Sequence, residues 1–231
     1  MNRLKYMLIA ILGMVAAACS NDDMPSDSEL DKFDQIESPE VIGLNNVGRL
    51  LKIFPDGTPC YTHEPLEGSI QDGDYSISII HNASEFEEAD INGRNLPVIS
   101  FNTDFSESEL EKYWMNRYGD GTKTIYLNEK FPDIDWSSQS LVFITRQYSS
   151  TGMELNQVKG KVYRKDGGFV ITLQNVMIFD IDFGLTLTHC GFAVLVDKPN
   201  IQAKDLKIRM DNTDYYWQSK EKKAYSKWLK L

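Results

Sequence analysis

The residues of this chain that could perform acid–base or nucleophilic chemistry are few and scattered. Three histidines occur among 231 residues, His63, His81 and His189, and none lies in a recognised catalytic or nucleotide-binding pattern. Cys190 follows His189 directly, but neighbouring residues of a strand point to opposite faces and cannot hydrogen-bond side chain to side chain. We therefore expect no catalytic residues. A hydrolase whose two carboxylates lie far apart in the chain is the alternative.

Two pairs of aspartates have a spacing that would suit a hard cation. Asp133 and Asp135 form one pair, and Asp180 and Asp182 form the other. In an extended chain, residues two apart share a face, so each pair would present both carboxylates to an ion such as Ca²⁺. Ordinary strand ends with outward carboxylates explain the same spacing, and the full oxygen ligand set of calcium is not visible. We expect no metal and no cofactor.

The elements that must position these groups are mainly β-strands. Tyr75 to His81 alternates apolar and polar residues, which is typical of a half-buried strand. Asp166-Gly167-Gly168 joins two further alternating segments and predicts a hairpin. The fold class is therefore α+β, mainly antiparallel β, either sandwich-like or a sheet covered by one or two helices. Strands are predicted at residues 49–54, 75–81, 141–147, 158–164, 169–176, 186–196 and 204–210.

Helices are predicted at three places. Ser84 begins a short helix that runs through Ala89, and a capping-box spacing between Ser106 and Glu109 predicts a helix over 106–118. The lysine-rich segment 215–231 places its aromatic residues on one helical face and predicts a C-terminal helix. This helix either docks on the domain with its lysines reaching into solvent or lies on an anionic membrane surface.

Negative charge is concentrated near the amino terminus. The chain has a net charge of −10, and residues 20–45 hold eight acidic residues against the single basic residue Lys32. Such a polar segment cannot bury enough apolar surface to offset its ordering entropy, so a flexible tether is expected. No basic stripe exists to neutralise phosphates, which argues against nucleic-acid binding. The expected monomer has a tether over 19–45, one β-rich domain over 46–211 and a basic C-terminal helix or tail over 212–231.

The first eighteen residues have the pattern of an export signal. Arg3 and Lys5 precede an apolar run that is too short to span a bilayer, and three alanines lie directly before Cys19. This arrangement resembles the lipobox of bacterial lipoproteins, whose commonest form has leucine where this chain has Ala16. The resemblance implies that residues 1–18 are removed and that Cys19 is lipidated. An ordinary secretory signal with an incidental cysteine is the alternative.

The residues after Cys19 bear on where the protein is displayed. Ser20-Asn21-Asp22-Asp23 resembles the acidic stretch that follows the lipidated cysteine in surface-exposed lipoproteins of the Bacteroidetes. The resemblance implies attachment to the outer membrane of the cell envelope with the domain on the cell surface. An anchor that faces the periplasm is the alternative.

Cys60 and Cys190 remain once Cys19 is lipidated. An even pair of cysteines in an exported protein permits a disulfide, which would close a loop of about 130 residues. Two buried free thiols that act as small hydrophobic side chains are the alternative.

Residues 77–199 resemble a second family. The resemblance rests on the segment 132–136 before the apolar run 141–144, on Ser150-Thr151-Gly152, and on a late strand that ends in Lys198-Pro199. These features resemble the PrcB-type domain of bacterial protease-complex subunits, with an apparent insertion at 90–131. The family has Thr-Gly-Gly where this chain has Thr151-Gly152-Met153. The resemblance implies an accessory or interaction role and no chemistry.

The function expected from these observations is binding. A cell-envelope lipoprotein would present a β-rich, non-catalytic domain to a protein or glycan, and an accessory or inhibitory partner of an envelope protease is the specific case that the PrcB-like resemblance implies. An envelope hydrolase of glycans or peptides, with a dispersed carboxylate site, is the alternative.

Overall fold

The computed structural model describes residues 24–57, 59–62, 64–94, 124–151, 153–179, 185–216, 219 and 221–231. The chain divides into two units, Met1–Phe33 and Asp34–Leu231. In the first unit, α1 (Asp27–Leu30) begins after Ser26, whose backbone N–H donates to Glu29 Oε2 at 2.8 Å. No helix in the described part of the chain is long and apolar enough to cross a membrane.

A five-stranded sheet forms one layer of the second unit. Its strand order is β1-β9-β10-β12-β13, and all neighbours are antiparallel except β10 and β12, which run parallel. The strands are β1 (Asp34–Gln35), β9 (Met153–Lys165), β10 (Gly168–Phe179), β12 (Leu206–Tyr216) and β13 (Glu221–Leu229). A short 3₁₀ helix (Ala203–Asp205) precedes β12.

An antiparallel eight-stranded sheet forms the second layer. Its strand order is β4-β5-β8-β11-β2-β6-β7, and β3 pairs with β2. The strands are β2 (Val41–Ile53), β3 (Pro59–Thr62), β4 (Ile70–Asp72), β5 (Tyr75–Ile80), β6 (Ile91–Arg94), β7 (Thr124–Tyr126), β8 (Ser140–Thr151) and β11 (Leu185–Val196).

The larger sheet is buried on both faces. Val142 and Ile144 of β8 pack into the core between the two sheets, whereas Leu141 and Phe143 pack into a second core on the outer face. The helix α2 (Ala83–Ala89) contributes to this outer core, as does Leu127 of α3 (Leu127–Lys130). Burial on both faces explains why 141–144 is a continuous apolar run. The predicted α+β class, mainly antiparallel β and sandwich-like, is confirmed.

Several local predictions agree with the structure. Strands β9 and β10 form the predicted hairpin, and Asp166 and Gly167 both have positive φ, 50° and 79°, as a tight two-residue turn requires. Asn82 caps α2 by accepting a hydrogen bond from the backbone N–H of Glu85 at 2.9 Å. The helix predicted over 106–118 lies outside the described residues, as do the signal segment and Cys19.

The prediction of a C-terminal helix is wrong. The segment forms β13, which pairs antiparallel with β12 over Glu221 to Leu229. Tyr225 and Leu229, four residues apart, are less exposed than their sequence neighbours Ala224 and Lys230. Pairing with β12 satisfies the backbone hydrogen bonds on one side of β13. A docked helix would make its backbone hydrogen bonds internally and would not need β12. Strand β13 is therefore part of the sandwich.

The predicted limit of the tether at residue 45 is also wrong. Residues Asp34 and Gln35 form β1, and β2 begins at Val41, which pairs with Val194 of β11. The acidic composition of 20–45 concealed the short apolar run Val41–Leu44, whose pairing with a buried strand offsets the cost of ordering it. The folded domain therefore begins before residue 46.

Candidate functional site

A layer of polar side chains crosses the space between the two sheets, and we call it the polar layer. Cross-strand pairing aligns its members at one level of each sheet. The larger sheet contributes Tyr75, Arg146 and Cys190, and the smaller sheet contributes Tyr225, Asn212 and Asn175.

Arg146 is the centre of the polar layer and joins the two sheets. Its side chain is 5% exposed, and its Nε donates to Asp74 Oδ2 at 2.7 Å. One terminal nitrogen donates to Asn212 Oδ1 at 2.9 Å, and the other donates to the Tyr225 hydroxyl at 2.7 Å. A buried guanidinium is tolerated when its donors are paired, so these contacts position β8 against β12 and β13.

The titratable neighbours of Arg146 are shifted mainly by burial. Burial raises the pKa of Asp214, and the positive charge of Arg146 partly opposes this rise. Burial also raises the pKa of the Tyr75 hydroxyl, which therefore stays protonated and donates to Asn212 Oδ1 at 3.3 Å. These groups satisfy one another across the interface of the sheets. Their arrangement fits a structural role.

The two cysteines lie in different environments. Cys190 is fully buried between the sheets, with its Sγ 3.6 Å from Asn45 Oδ1, and Cys60 is half-buried in β3. No disulfide joins Cys60 to Cys190, and this agrees with the alternative of two thiols. His189 lies on the opposite face of β11 from Cys190, as the strand geometry predicts.

The predicted geometry of the Asp133 and Asp135 pair is wrong. Residues 131–139 form turns, not an extended strand, because the Asp135 carboxylate accepts three local hydrogen bonds. The donors are the Ser137 hydroxyl at 2.6 Å, the Ser138 hydroxyl at 2.7 Å and the Ser137 backbone N–H at 3.1 Å. These bonds, that of the Ser137 hydroxyl first, lower the pKa of Asp135. Asp180 and Asp182 lie outside the described residues.

No metal site is assembled within the described ranges. Among those residues, no three histidine, cysteine, aspartate or glutamate side chains come close enough to hold an ion. Asp133 lies in a broad groove of about 590 Å³ that Glu40, Lys130 and Leu195 also line.

A small pocket lies on the outer face of the larger sheet, at the base of the β2–β3 hairpin, and we call it the hairpin pocket. Its volume is about 20 Å³, enough for one or two water-sized groups. Strands β2, β3, β5, β6, β8 and β11 and the segment 64–66 line it. Gly191 lies beneath β2, where an added Cβ would come within 2.6 Å of Val47 Cγ2. Glycine at this position therefore lets β2 pack closely over the sheet.

The residues that line the hairpin pocket come from distant parts of the chain. Arg49 of β2 is half-buried, and its buried Nε has no hydrogen-bond partner among the described residues. His189 is 6% exposed and lines the same pocket. The remaining lining hydroxyls belong to Thr62, Ser76, Ser78 and Thr145.

Two of these hydroxyls are oriented by neighbours. Ser76 Oγ accepts a hydrogen bond from Gln71 Nε2 at 3.0 Å, and Thr62 Oγ1 accepts one from the Glu64 backbone N–H at 3.2 Å. Each hydroxyl therefore keeps its own hydrogen to donate. Sequence reasoning missed this pocket, and the one available signal was an arginine at the start of the apolar run 49–54.

The end of the β2–β3 hairpin is unusually apolar for an exposed surface. Leu51 is 62% exposed, Ile53 63% and Phe54 41%. Lys52 Nζ lies 4.5 Å from the centroid of the Phe54 ring, a cation–π contact. We call Leu51, Ile53 and Phe54 the hairpin patch.

These features define a β-sandwich with an outer layer of short helices, a polar layer that fastens its sheets and a small pocket beside an apolar hairpin. In comparisons with known proteins, no family model, no curated protein and no solved structure matches the chain.

Proposed function

We propose that this protein is a cell-envelope lipoprotein, anchored to the outer membrane through lipid on Cys19 and exposed at the cell surface, whose β-rich domain binds a protein partner through the β2–β3 hairpin. The exposure of the hairpin patch carries this proposal. Clustered apolar side chains at a surface are typical of an interaction site, whereas single exposed ones are ordinary.

Burial of the hairpin patch would supply a modest part of the binding free energy. Fully burying one such side chain stabilises by roughly 1.5–3 kcal/mol, so covering three that are already about half exposed would contribute about 2–5 kcal/mol. Association itself costs at least this much in lost freedom. The hairpin patch therefore needs additional polar contacts around it to hold a partner.

A protein fits this surface better than an anionic membrane or a glycan. The chain carries a net charge of −10, which opposes approach to negatively charged lipid headgroups. Two of the three patch residues are aliphatic, and a glycan stacks on flat aromatic rings. An accessory role for an envelope protease is the narrower form of the proposal, and the PrcB-like resemblance of residues 77–199 supports it.

Comparative capture from detergent-solubilised membranes tests the proposal. The mature chain is one bait, and the variant Leu51→Ser/Ile53→Ser/Phe54→Ser is the second. Met24→Ser is the matched control, because Met24 is also an exposed apolar residue, at 44%, and belongs to the other structural unit.

The expected result is a protein whose recovery falls about ten-fold with the triple variant and is unchanged with Met24→Ser. The purified partner should then bind the mature chain directly with the same dependence. Equal recovery of every captured protein by all three baits would overturn the proposal, as would hairpin-dependent binding to lipid vesicles in place of a protein.

A further inference from the structure

The outer face of the smaller sheet is basic, although the chain as a whole carries a net charge of −10. Val162 of β9 and Ile208 and Met210 of β12 pack into the core between the sheets, so the residues beside them on each strand point away from it. Among the described side chains at these outward strand positions, Asp211 is the one carboxylate. The basic side chains at the outward positions are Lys159, Lys161, Lys165, Lys207, Arg209 and Lys222.

Cross-strand pairing assembles this face from separate segments. Along each strand, residues that point into the core separate the basic ones, so no single segment of the sequence is strongly basic. Adjacent strands lie about 4.8 Å apart, so a row of residues across four strands is about 14 Å wide. Two successive rows are Lys161, Thr172, Arg209 and Trp228, followed by Lys159, Gln174, Asp211 and Ser226. We call these two rows the basic face.

The positive charge of the basic face is accessible to a ligand. Both lysines of the two rows are exposed, and so are Gln174 and Ser226 beside them. The Cα atoms of the two lysines, two residues apart on one strand, are separated by about 7 Å. Asp211 lies 3.1 Å from Arg209 Nε, so its carboxylate is compensated within its own strand. The exposed lysines therefore set the charge that a ligand meets.

The chemistry of the basic face favours an anionic polysaccharide over a protein. Protein interfaces depend on apolar or aromatic anchors that become buried. Within the described residues, the exposed large apolar side chains are those of the hairpin patch and Met24, and none of them lies on the basic face. The amide of Gln174 and the hydroxyl of Ser226 can both donate and accept hydrogen bonds, as the hydroxyls of a sugar require.

Other anionic surfaces fit the basic face less well. A membrane would bring its plane of negative headgroups close to the acidic remainder of the chain, whereas a polymer strand can lie along the rows without approaching it. The phosphates of a nucleic acid would use the lysines but leave the neutral groups of Gln174 and Ser226 unmatched.

We propose that the basic face binds an anionic polysaccharide, whose carboxylate or sulfate groups contact Lys159 and Lys161 and whose hydroxyls contact Gln174 and Ser226. Arg209 supplies a further positive charge beside the lysines. The site belongs to the smaller sheet, whereas the β2–β3 hairpin belongs to the larger one, so the inference does not rest on the proposed function.

Isothermal titration calorimetry of the detergent-solubilised protein tests the assignment with three polymers that share one neutral backbone. Dextran is the uncharged blank, carboxymethyl-dextran supplies carboxylates, and dextran sulfate supplies sulfates. At least one charged derivative should bind, with an affinity that falls as added salt screens the charges, and dextran should not bind. The derivative that binds more tightly identifies the anionic group that the lysines prefer.

Matched charge variants locate the site. Lys159→Gln/Lys161→Gln should weaken binding about ten-fold. Lys52→Gln/Lys130→Gln changes the net charge of the chain by the same amount at exposed positions of β2 and α3, outside the smaller sheet, and should change the affinity less than about two-fold. Asp211→Asn should tighten binding, because it removes the negative charge from the basic face.

The absence of binding by both charged derivatives would overturn the assignment, as would equal losses for the two double variants, because net charge alone would then govern binding. Tighter binding of duplex DNA or of poly-L-glutamate than of either dextran derivative would overturn it in favour of a different partner. The triple variant of the hairpin patch should bind the polymers as the unaltered chain does. Loss of polymer binding in that variant would place the site at the hairpin and contradict the assignment.

Discussion

Replacement of Arg146 with methionine should destabilise the domain more than the loss of any exposed ion pair would. The change keeps an unbranched apolar stem but removes the guanidinium, and with it the hydrogen bonds donated to Asp74, Asn212 and Tyr225. Removing one partner of a buried ionic network typically costs about 3–5 kcal/mol. The Asp74 side chain is 39% exposed, so water can replace part of the interaction that it loses with Arg146. Asn212 Oδ1 still accepts a hydrogen bond from the Tyr75 hydroxyl. We expect a loss of about 2–3 kcal/mol.

Urea unfolding followed by tryptophan fluorescence measures this loss. For an m-value of about 2–3 kcal/mol/M, the midpoint should fall by about 1 M. Arg164→Met is the matched control: Arg164 pairs with Asp197 at 3.2 Å, but the two side chains are 49% and 52% exposed. Its loss should stay below about 1 kcal/mol. Equal losses for the two variants would refute the argument that the polar layer fastens the sheets.

Three further outcomes follow from features described above. Burial raises the pKa of Asp214, so the folded chain binds the proton of this carboxyl group more tightly than the unfolded chain does. The stability that this tighter binding contributes is present at low pH and is lost as the pH rises above the unfolded pKa. Asp214→Asn should therefore increase the free energy of unfolding at neutral pH and not at acidic pH, and identical urea midpoint shifts at the two pH values would contradict this. Gly191→Ala should cost about 1–3 kcal/mol in the same assay, because the new Cβ would press on Val47 and Phe143, and an unchanged midpoint would show that β2 can move away. Cys19→Ala should release the protein from the membrane fraction on fractionation, and continued anchoring would refute lipid attachment.

Part of the fold was predictable because its signals are local. Asp166-Gly167 can adopt positive φ at two successive positions, and this turn sets the register of β9 and β10 without help from the rest of the chain. The continuous apolar run 141–144 likewise indicates burial on both faces wherever the strand is placed.

The C-terminal strand was not predictable in this way. Its apolar and aromatic residues fit one helical face as well as they fit the inner face of a strand, since Tyr225 and Leu229 are four residues apart. Pairing with β12 is what selects a strand over a helix for this segment. The position of β12 is itself set by its parallel pairing with β10, which is a non-local contact.

The hairpin pocket was hidden for a related reason. Arg49 and His189 are separated by most of the domain, and they meet because β2 and β11 are neighbours in the larger sheet. No spacing in the sequence encodes that adjacency. The aspartate pair, in contrast, had a suggestive spacing, but the turn held by Ser137 and Ser138 removed the extended geometry on which the prediction depended.

The lysines of β13 have a consequence for self-association. The unpaired edge of a sheet is a template for a strand of another molecule, and within the described residues the outer strands β1, β4 and β7 are only two or three residues long. Strand β13 has nine residues and would be the most accessible template, but it carries Lys222, Lys223 and Lys227. A second copy added in antiparallel register would bring like charges together. The basic carboxyl terminus thus protects the sandwich from growing, strand by strand, into an aggregate.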